Sequence, residues 1–191
     1  EESAPVEPSA PVEPPPSTDG GPAWRNFGRD SQHAAQSDIA TQSLSRIVWQ
    51  TAVDLVPPYR ANNVLPIHYG SPVISARNTV LVPVKLNLDS GFRVEARAGA
   101  NGALLWSAPT DYVLPAHDWT PSYNIALTQG NRVYFPGAGG KLYFRDDVDS
   151  ATGTVETVVF YGSNAYDLAR AAYDAAVLIN TPLTVDPRGN V

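Results

Sequence analysis

The stretch SPVISARNTVLVPVK, Ser71–Lys85, returns as TPSYNIALTQGNRVYFPG, Thr120–Gly137, and begins again as TPLTVDPRGNV, Thr181–Val191. In each copy a Ser/Thr-Pro pair opens an apolar run, a polar turn holding Asn follows, and a second apolar run starts. The asparagines Asn78, Asn131 and Asn190 stand 53 and 59 residues apart. An aromatic residue closing a later run gives a similar period: Trp49 in SRIVWQ, Trp106 in GALLWS and Phe160 in VETVVFYG, 57 and 54 apart. Self-similarity at a fixed long period marks a repeat architecture.

Working outward from the copies, the runs are short, alternating and β-rich. Strands are expected at Ser45–Gln50, Val73–Ser75, Thr79–Lys85, Arg93–Ala98, Ala103–Trp106, Asn124–Leu127, Arg132–Pro136, Lys141–Arg145 and Val155–Tyr161. Turn chemistry separates them, as at Ala100-Asn101-Gly102, Gly130-Asn131 and Gly137–Gly140, where Asn and Gly supply positive φ. Tyr166–Ala176 breaks the pattern: it is alanine-rich and suits a short helix or a decorated loop.

Four antiparallel strands per repeat predict an all-β fold, a β-propeller of which about two to three blades are present. One such blade cannot bury both faces, so blades stack around a ring. The expected layout is a closing strand at about 44–50, blade one at about 71–107, blade two at about 120–162, and the start of blade three at 180–191. The strand ending at Trp49 would be lent to the last blade, leaving no gap. The remaining blades of the ring would be needed for closure, and the chain is expected to be a processed or truncated piece.

The propeller unit, 23–191, follows a different segment. Residues 1–22, EESAPVEPSAPVEPPPSTDGGP, repeat the unit SAPVEP and carry too little apolar surface to offset ordering entropy. A disordered, Pro/Glu/Ser-rich extended spacer is expected, of the kind that tethers a domain to an anchor or signal sequence.

The residues resemble a known family. VEARAGANGALLWSAPTDY (Val94–Tyr112) is similar to the "LDAxTGxLLW" element of pyrroloquinoline-quinone-type β-propeller repeats. VYFPGAGGKLYFRDDVDSATG (Val133–Gly153) resembles that family's "VYVGxxDGKLYALDAxTG", and WRNFGRDSQHAAQS (Trp24–Ser37) is similar to the "WxxFGxDxxxTG" stretch ahead of the first blade. Gly99–Gly102 departs from Asp-Ala-x-Thr-Gly, and inserts after Trp49 and Phe160 lengthen the period. The resemblance implies a ring of seven or eight blades; it carries a fold and not a function.

Composition narrows the function classes. A net charge of −6, with only Lys85 and Lys141 as lysines, argues against nucleic acid as a partner. Cysteine is absent, which excludes disulfides, thiolate metal sites and thiol nucleophiles, and removes the vicinal cysteines that many quinone-dependent members of the family use. No run approaches 18 apolar residues, so no transmembrane segment is expected. An exported location fits the spacer: periplasmic, lipoprotein-tethered or extracellular.

Residues just before each Ser/Thr-Pro pair would lie at the mouth of a propeller channel. They include His68, Tyr69, His117, Asp118, Trp119 and Asn180, with Tyr112 nearby. Proton-active groups and stacking surfaces at corresponding places in successive blades suit a ligand site, or loops held in register by hydrogen bonds. Asp146, Asp147 and Asp149 offer carboxylates suited to calcium, although Asp149–Gly153 also has the form of an Asx-type hairpin turn. Trp49 and Trp106, at blade-equivalent positions, suit packing between blades better than a sugar platform. No nucleophile elbow occurs, and Gly137–Gly140 reads as a hairpin.

The function expected is therefore a non-enzymatic exported propeller. It would bind a protein or carbohydrate ligand, or act as a protein-assembly scaffold. The alternative is a quinoprotein-type dehydrogenase with a quinone cofactor and calcium at the channel mouth.

Overall fold

The computed structural model describes residues 22–37, 43–55, 70–86, 91–112 and 123–191. Two open antiparallel meanders dominate them. Strands β1 (Val73–Ile74), β2 (Thr79–Lys85), β3 (Phe92–Ala98) and β4 (Leu104–Pro109) pair in chain order, and β5 (Ala126–Leu127), β6 (Val133–Pro136), β7 (Lys141–Arg145) and β8 (Glu156–Val159) repeat the arrangement. Two short helices, α1 (Ser163–Leu168) and α2 (Arg170–Ala176), fill the alanine-rich stretch and meet at Ala169. The proline-rich segment through Gly21 lies outside the described residues.

Each meander opens on the same turn. Ser75 Oγ accepts from the backbone N–H groups of Arg77 and Thr79. Thr128 Oγ1 accepts from Arg132 N–H. Asp186 Oδ1 accepts from Arg188 and Asn190 N–H. The residue three places on takes positive φ in all three: Asn78 (64°), Asn131 (68°) and Gly189 (86°). This corrects the repeat. Gly189, not Asn190, occupies the left-handed position, and the second interval is 58 residues. Only Gly and Asn visit that region at low cost, so an Asn beside a Gly misplaces the landmark by one.

The aromatic landmark shifts as well. With the turns aligned, the row Leu81, Ala96 and Trp106 of the first sheet corresponds to Tyr134, Phe144 and Glu156 of the second. Phe160 lies beyond β8, 77 % exposed, and does not take the place of Trp106. The step from second to third strand is five residues shorter in the second copy (Tyr134 to Phe144 against Leu81 to Ala96) and the next step two longer, so the fourth strand comes three residues early, which spacing alone does not register. Ser45–Gln50, expected as a closing strand, belongs to no ladder, and 181–191 forms the turn without a strand.

Burial follows strand alternation. Val73, Leu81, Val94, Ala96, Trp106 and Ala108 of the first sheet pack on Ile125, Leu127, Val133, Phe135 and Val148 of the second. The Trp106 indole N–H donates to Val148 O (2.8 Å), and the Arg145 guanidinium lies 4.6 Å from its ring centre. Trp49 repeats this one sheet earlier: its Nε1 donates to Gly99 O (2.8 Å) and its ring fills the space a Cβ at Gly102 would need. Each indole thus docks on the turn after the third strand of the following sheet.

On the first sheet's other face Glu95, 2 % exposed, is held by Arg93 Nε (2.7 Å) and by Arg97 Nε and Nη2 (2.8 and 2.6 Å). A buried carboxylate is tolerable only with such partners. Pro83 sits inside β2, but β1 pairs only with Val80 and Leu81, so no ladder bond on that side is lost at Pro83.

Candidate functional site

The residues that follow β4 meet the end of the β6–β7 hairpin, where Thr110 Oγ1 donates to Pro136 O and Asp111 accepts from Ala138 N–H. Phe92 opens β3, Tyr112 follows β4 and Tyr123 precedes β5, and the three rings form a buried cluster. Phe92 stacks on Tyr123 at 4.0 Å between centroids, and Tyr112 sits edge-on to Phe92 at 6.0 Å. The Tyr112 hydroxyl donates to Ile179 O (2.5 Å), and burial pushes its pKa up to about 12. Burial likewise holds the Tyr123 phenol well above its ordinary range. Neither phenol ionises near neutrality.

Beside them lies a charged network. Lys141, first residue of β7, forms an ion pair with Asp111, and its Nζ donates to the Tyr166 hydroxyl (3.3 Å). Tyr166 in turn donates to Asp174 Oδ1 (2.8 Å). The ammonium lies 5.6 and 5.5 Å from the ring centres of Tyr143 and Tyr166, within cation–π range. Burial disfavours the charged lysine, but its bonds to Asp111 and Tyr166 outweigh that and raise its pKa above the ordinary value. Burial acts to raise Asp111, yet Lys141 and the Ala138 N–H leave its carboxyl below the usual carboxylate value.

This network fastens the helices to the β6–β7 hairpin. Gly139 makes the close approach possible: its φ is +67°, and a Cβ there would lie 2.5 Å from Asp174 Oδ1. Tyr161 donates to Gly139 O, and its ring stacks on Tyr173 at 4.4 Å. Lys141 stays cationic and Asp111 anionic across the neutral range, so the pair offers fixed charge and aromatic surface. A general acid or base needs a pKa near the working pH, which neither group has.

Of the sequence-derived site residues, Tyr112 and Asn180 come together, since Tyr112 bonds the carbonyl just before Asn180. His68, Tyr69, His117, Asp118 and Trp119 lie outside the described residues. The acidic trio does not converge. Asp146 is bound by Arg132 Nε and Nη2 (2.7 and 2.9 Å), while Asp149 accepts from Ser75 Oγ (2.5 Å) and Asn131 Nδ2 (2.7 Å). Asp147 sits in the turn with φ of 46°. Calcium does not fit these side chains as they stand, and among the described residues no group of three His, Asp or Glu side chains is placed to hold a metal ion. The Asp149 bonds tie the β1–β2 turn to the β5–β6 turn.

Asp111, Tyr143, Lys141, Tyr166 and Asp174 were not singled out from sequence. The signal for Lys141 was present: it is one of two lysines and directly follows a glycine-rich turn. Tyr166 and Asp174 had none, because their partner is far away in the chain. At the opposite end, a cleft of about 380 Å³ is bordered by Arg25, Arg29, Asp30, Gln129 and Asp186. Among the described residues no helix is long and apolar enough to cross a membrane. No protein-family model matches the chain, and no curated protein matches it.

Proposed function

We propose that the chain is part of an exported β-propeller of the pyrroloquinoline-quinone type, acting without catalysis as a ligand-binding or protein-assembly scaffold. The observation that carries this is the likeness of the two meanders, which share a turn and a strand order and each receive an indole from the segment before them. β1 and β5 are in contact, as the first strands of neighbouring blades would be near a ring axis. Ser43–Gln50, docked through Trp49 but without a ladder, stands where the fourth strand of a preceding blade would be. Leu44 and Ile47 on it are 103 % and 78 % exposed, apolar surface that a closing blade would cover.

The binding surface in this reading is the crossover side, the side that holds Tyr112, Asn180 and the Lys141 network, and it would include the sequence-derived His68 and His117. The exposed Asp111 carboxylate and the partly exposed Tyr143 ring, set on a buried aromatic base, suit recognition of a sugar or a peptide. The test is a glycan array and a cross-linking pull-down of envelope proteins, run with the native chain and with a His68→Ala/His117→Ala double variant. A retained ligand that the double variant loses supports the reading. Binding unchanged in the double variant removes the site, and reduction of an electron-acceptor dye with added quinone and calcium overturns the non-catalytic assignment.

A further inference from the structure

The leading segment makes a contact that neither the meanders nor the crossover side explains. Trp24 exchanges backbone hydrogen bonds with Ile74 (2.9 and 2.7 Å), and Arg25 O accepts from Leu127 N–H (2.8 Å). The Asn26 side chain completes the series, donating to Val185 O (3.1 Å) and accepting from Val185 N–H (2.8 Å). Ile74, Leu127 and Val185 each stand immediately before the turn residues Ser75, Thr128 and Asp186. They are the same position in three successive repeats. Three consecutive residues span about 7 Å, so three equivalent points of the array converge on one short peptide.

The segment is shaped for this. Asn26 and Arg29 bond one another's backbone across a tight turn, with Gly28 at φ +67° and Arg29 at +81°. A Cβ on Gly28 would lie 3.0 Å from the His33 Cα. His33 reaches Thr184, beside Val185, at 3.0 Å. Asn26 is 2 % exposed, and its side chain replaces a strand partner that the third copy lacks.

We propose that Trp24–Asn26 is a strap that indexes successive repeats, joining the first two through backbone and the third through one asparagine. It covers the end at which the first strands finish. If the chain binds a ligand as proposed above, that ligand reaches it from the crossover side, while the strap itself needs no ligand.

Amide hydrogen exchange on the full chain tests the strap. In the native protein the Val185 amide, which belongs to no strand, should be protected along with those of Ile74 and Leu127. Asn26→Ala should speed exchange at Val185 about tenfold or more, as loss of two buried hydrogen bonds implies, with Ile74 and Leu127 largely unaffected. An unprotected Val185 in the native chain overturns the proposal. So does an Asn26→Ala variant in which Val185 is unchanged, or in which all three amides lose protection equally. Should that variant not fold, the native chain in rising denaturant decides. Ile74, Leu127 and Val185 opening together, before Val82 and Val94, supports the strap, and separate opening refutes it.

Discussion

The indole N–H of Trp106 in β4 and the carbonyl of Val148 after β7 meet at 2.8 Å, joining two sheets that share no ladder. Trp106 is 8 % exposed and lies in the centre of the common core. Trp106→Ala is expected to cost about 3–5 kcal/mol through transfer and cavity terms. Trp106→Phe keeps much of the packing and loses the bond, an added cost of about 1 kcal/mol. Urea unfolding of both variants checks this: a Trp106→Phe chain as stable as the native one would show that the hydrogen bond contributes nothing, and equal losses in the two variants would show that the packing does not.

Gly70 is required for a different reason. A Cβ there would lie 1.7 Å from Tyr123 O and 2.5 Å from the Pro83 ring, where the two sheets touch. The neighbouring Ser71 N–H already bonds Asn124 Oδ1 at 2.7 Å, so the backbone has little room to shift. Gly70→Ala should therefore destabilise by several kcal/mol, on the order of 3 or more. Thermal melting reads the result, and a melting temperature within a degree or two of native would contradict the placement.

The Asp111–Lys141 pair predicts a pH window. Asp111 has its folded pKa lowered, so its contribution is complete above the ordinary carboxylate value and is lost as pH falls through the folded one, below about 4. Lys141 is raised, so its contribution is complete below the ordinary lysine value of about 10.4 and is lost only above it. Tyrosine near-ultraviolet dichroism should hold steady between these limits and fall on the acid side. Lys141→Met should weaken the signal at pH 7 and remove the acid step attributable to this pair. A step of undiminished size in that variant would assign it to other carboxylates.

Asp149 spans two turns, taking a hydrogen bond from Ser75 and another from Asn131. Asp149→Ala leaves both donors without this acceptor and should cost about 2–3 kcal/mol, as hydrogen bonds to charged groups do. Calcium or a chelator should leave the melting temperature of the native chain unmoved, because Asp146 and Asp149 are turned to protein partners. A calcium-dependent rise that Asp149→Ala abolishes would show that the trio regroups around the ion.

Much of the architecture was legible because strands and tight turns are local. Alternating Val, Leu and Ala mark β2 and β3, and the positive-φ demand at Asn78 and Asn131 is written in residue type. The alanine-rich run Tyr166–Ala176 left a short helix or a decorated loop open, and the structure has two short helices there, the first starting at Ser163. Phe160 misled because an aromatic at the right spacing need not share a register, and hairpin links of unequal length in the two copies altered the count. Asp146, Asp147 and Asp149 suggested one site because they are close in sequence, yet turn geometry aims Asp146 at Arg132 and Asp149 at Ser75 and Asn131.

By itself, then, the sequence determined repeated short strands, their turns, a break in the β pattern at the alanine-rich run and a leading segment of distinct composition, since each depends on propensities within a few residues. The tertiary structure decided what those units do to one another. It docked Trp106 on Val148, closed Lys141 between Asp111 and Tyr166, and brought Trp24, Arg25 and Asn26 onto Ile74, Leu127 and Val185. Those pairings join residues far apart in the chain, and only packing brings such partners within hydrogen-bond distance. No local pattern encodes them.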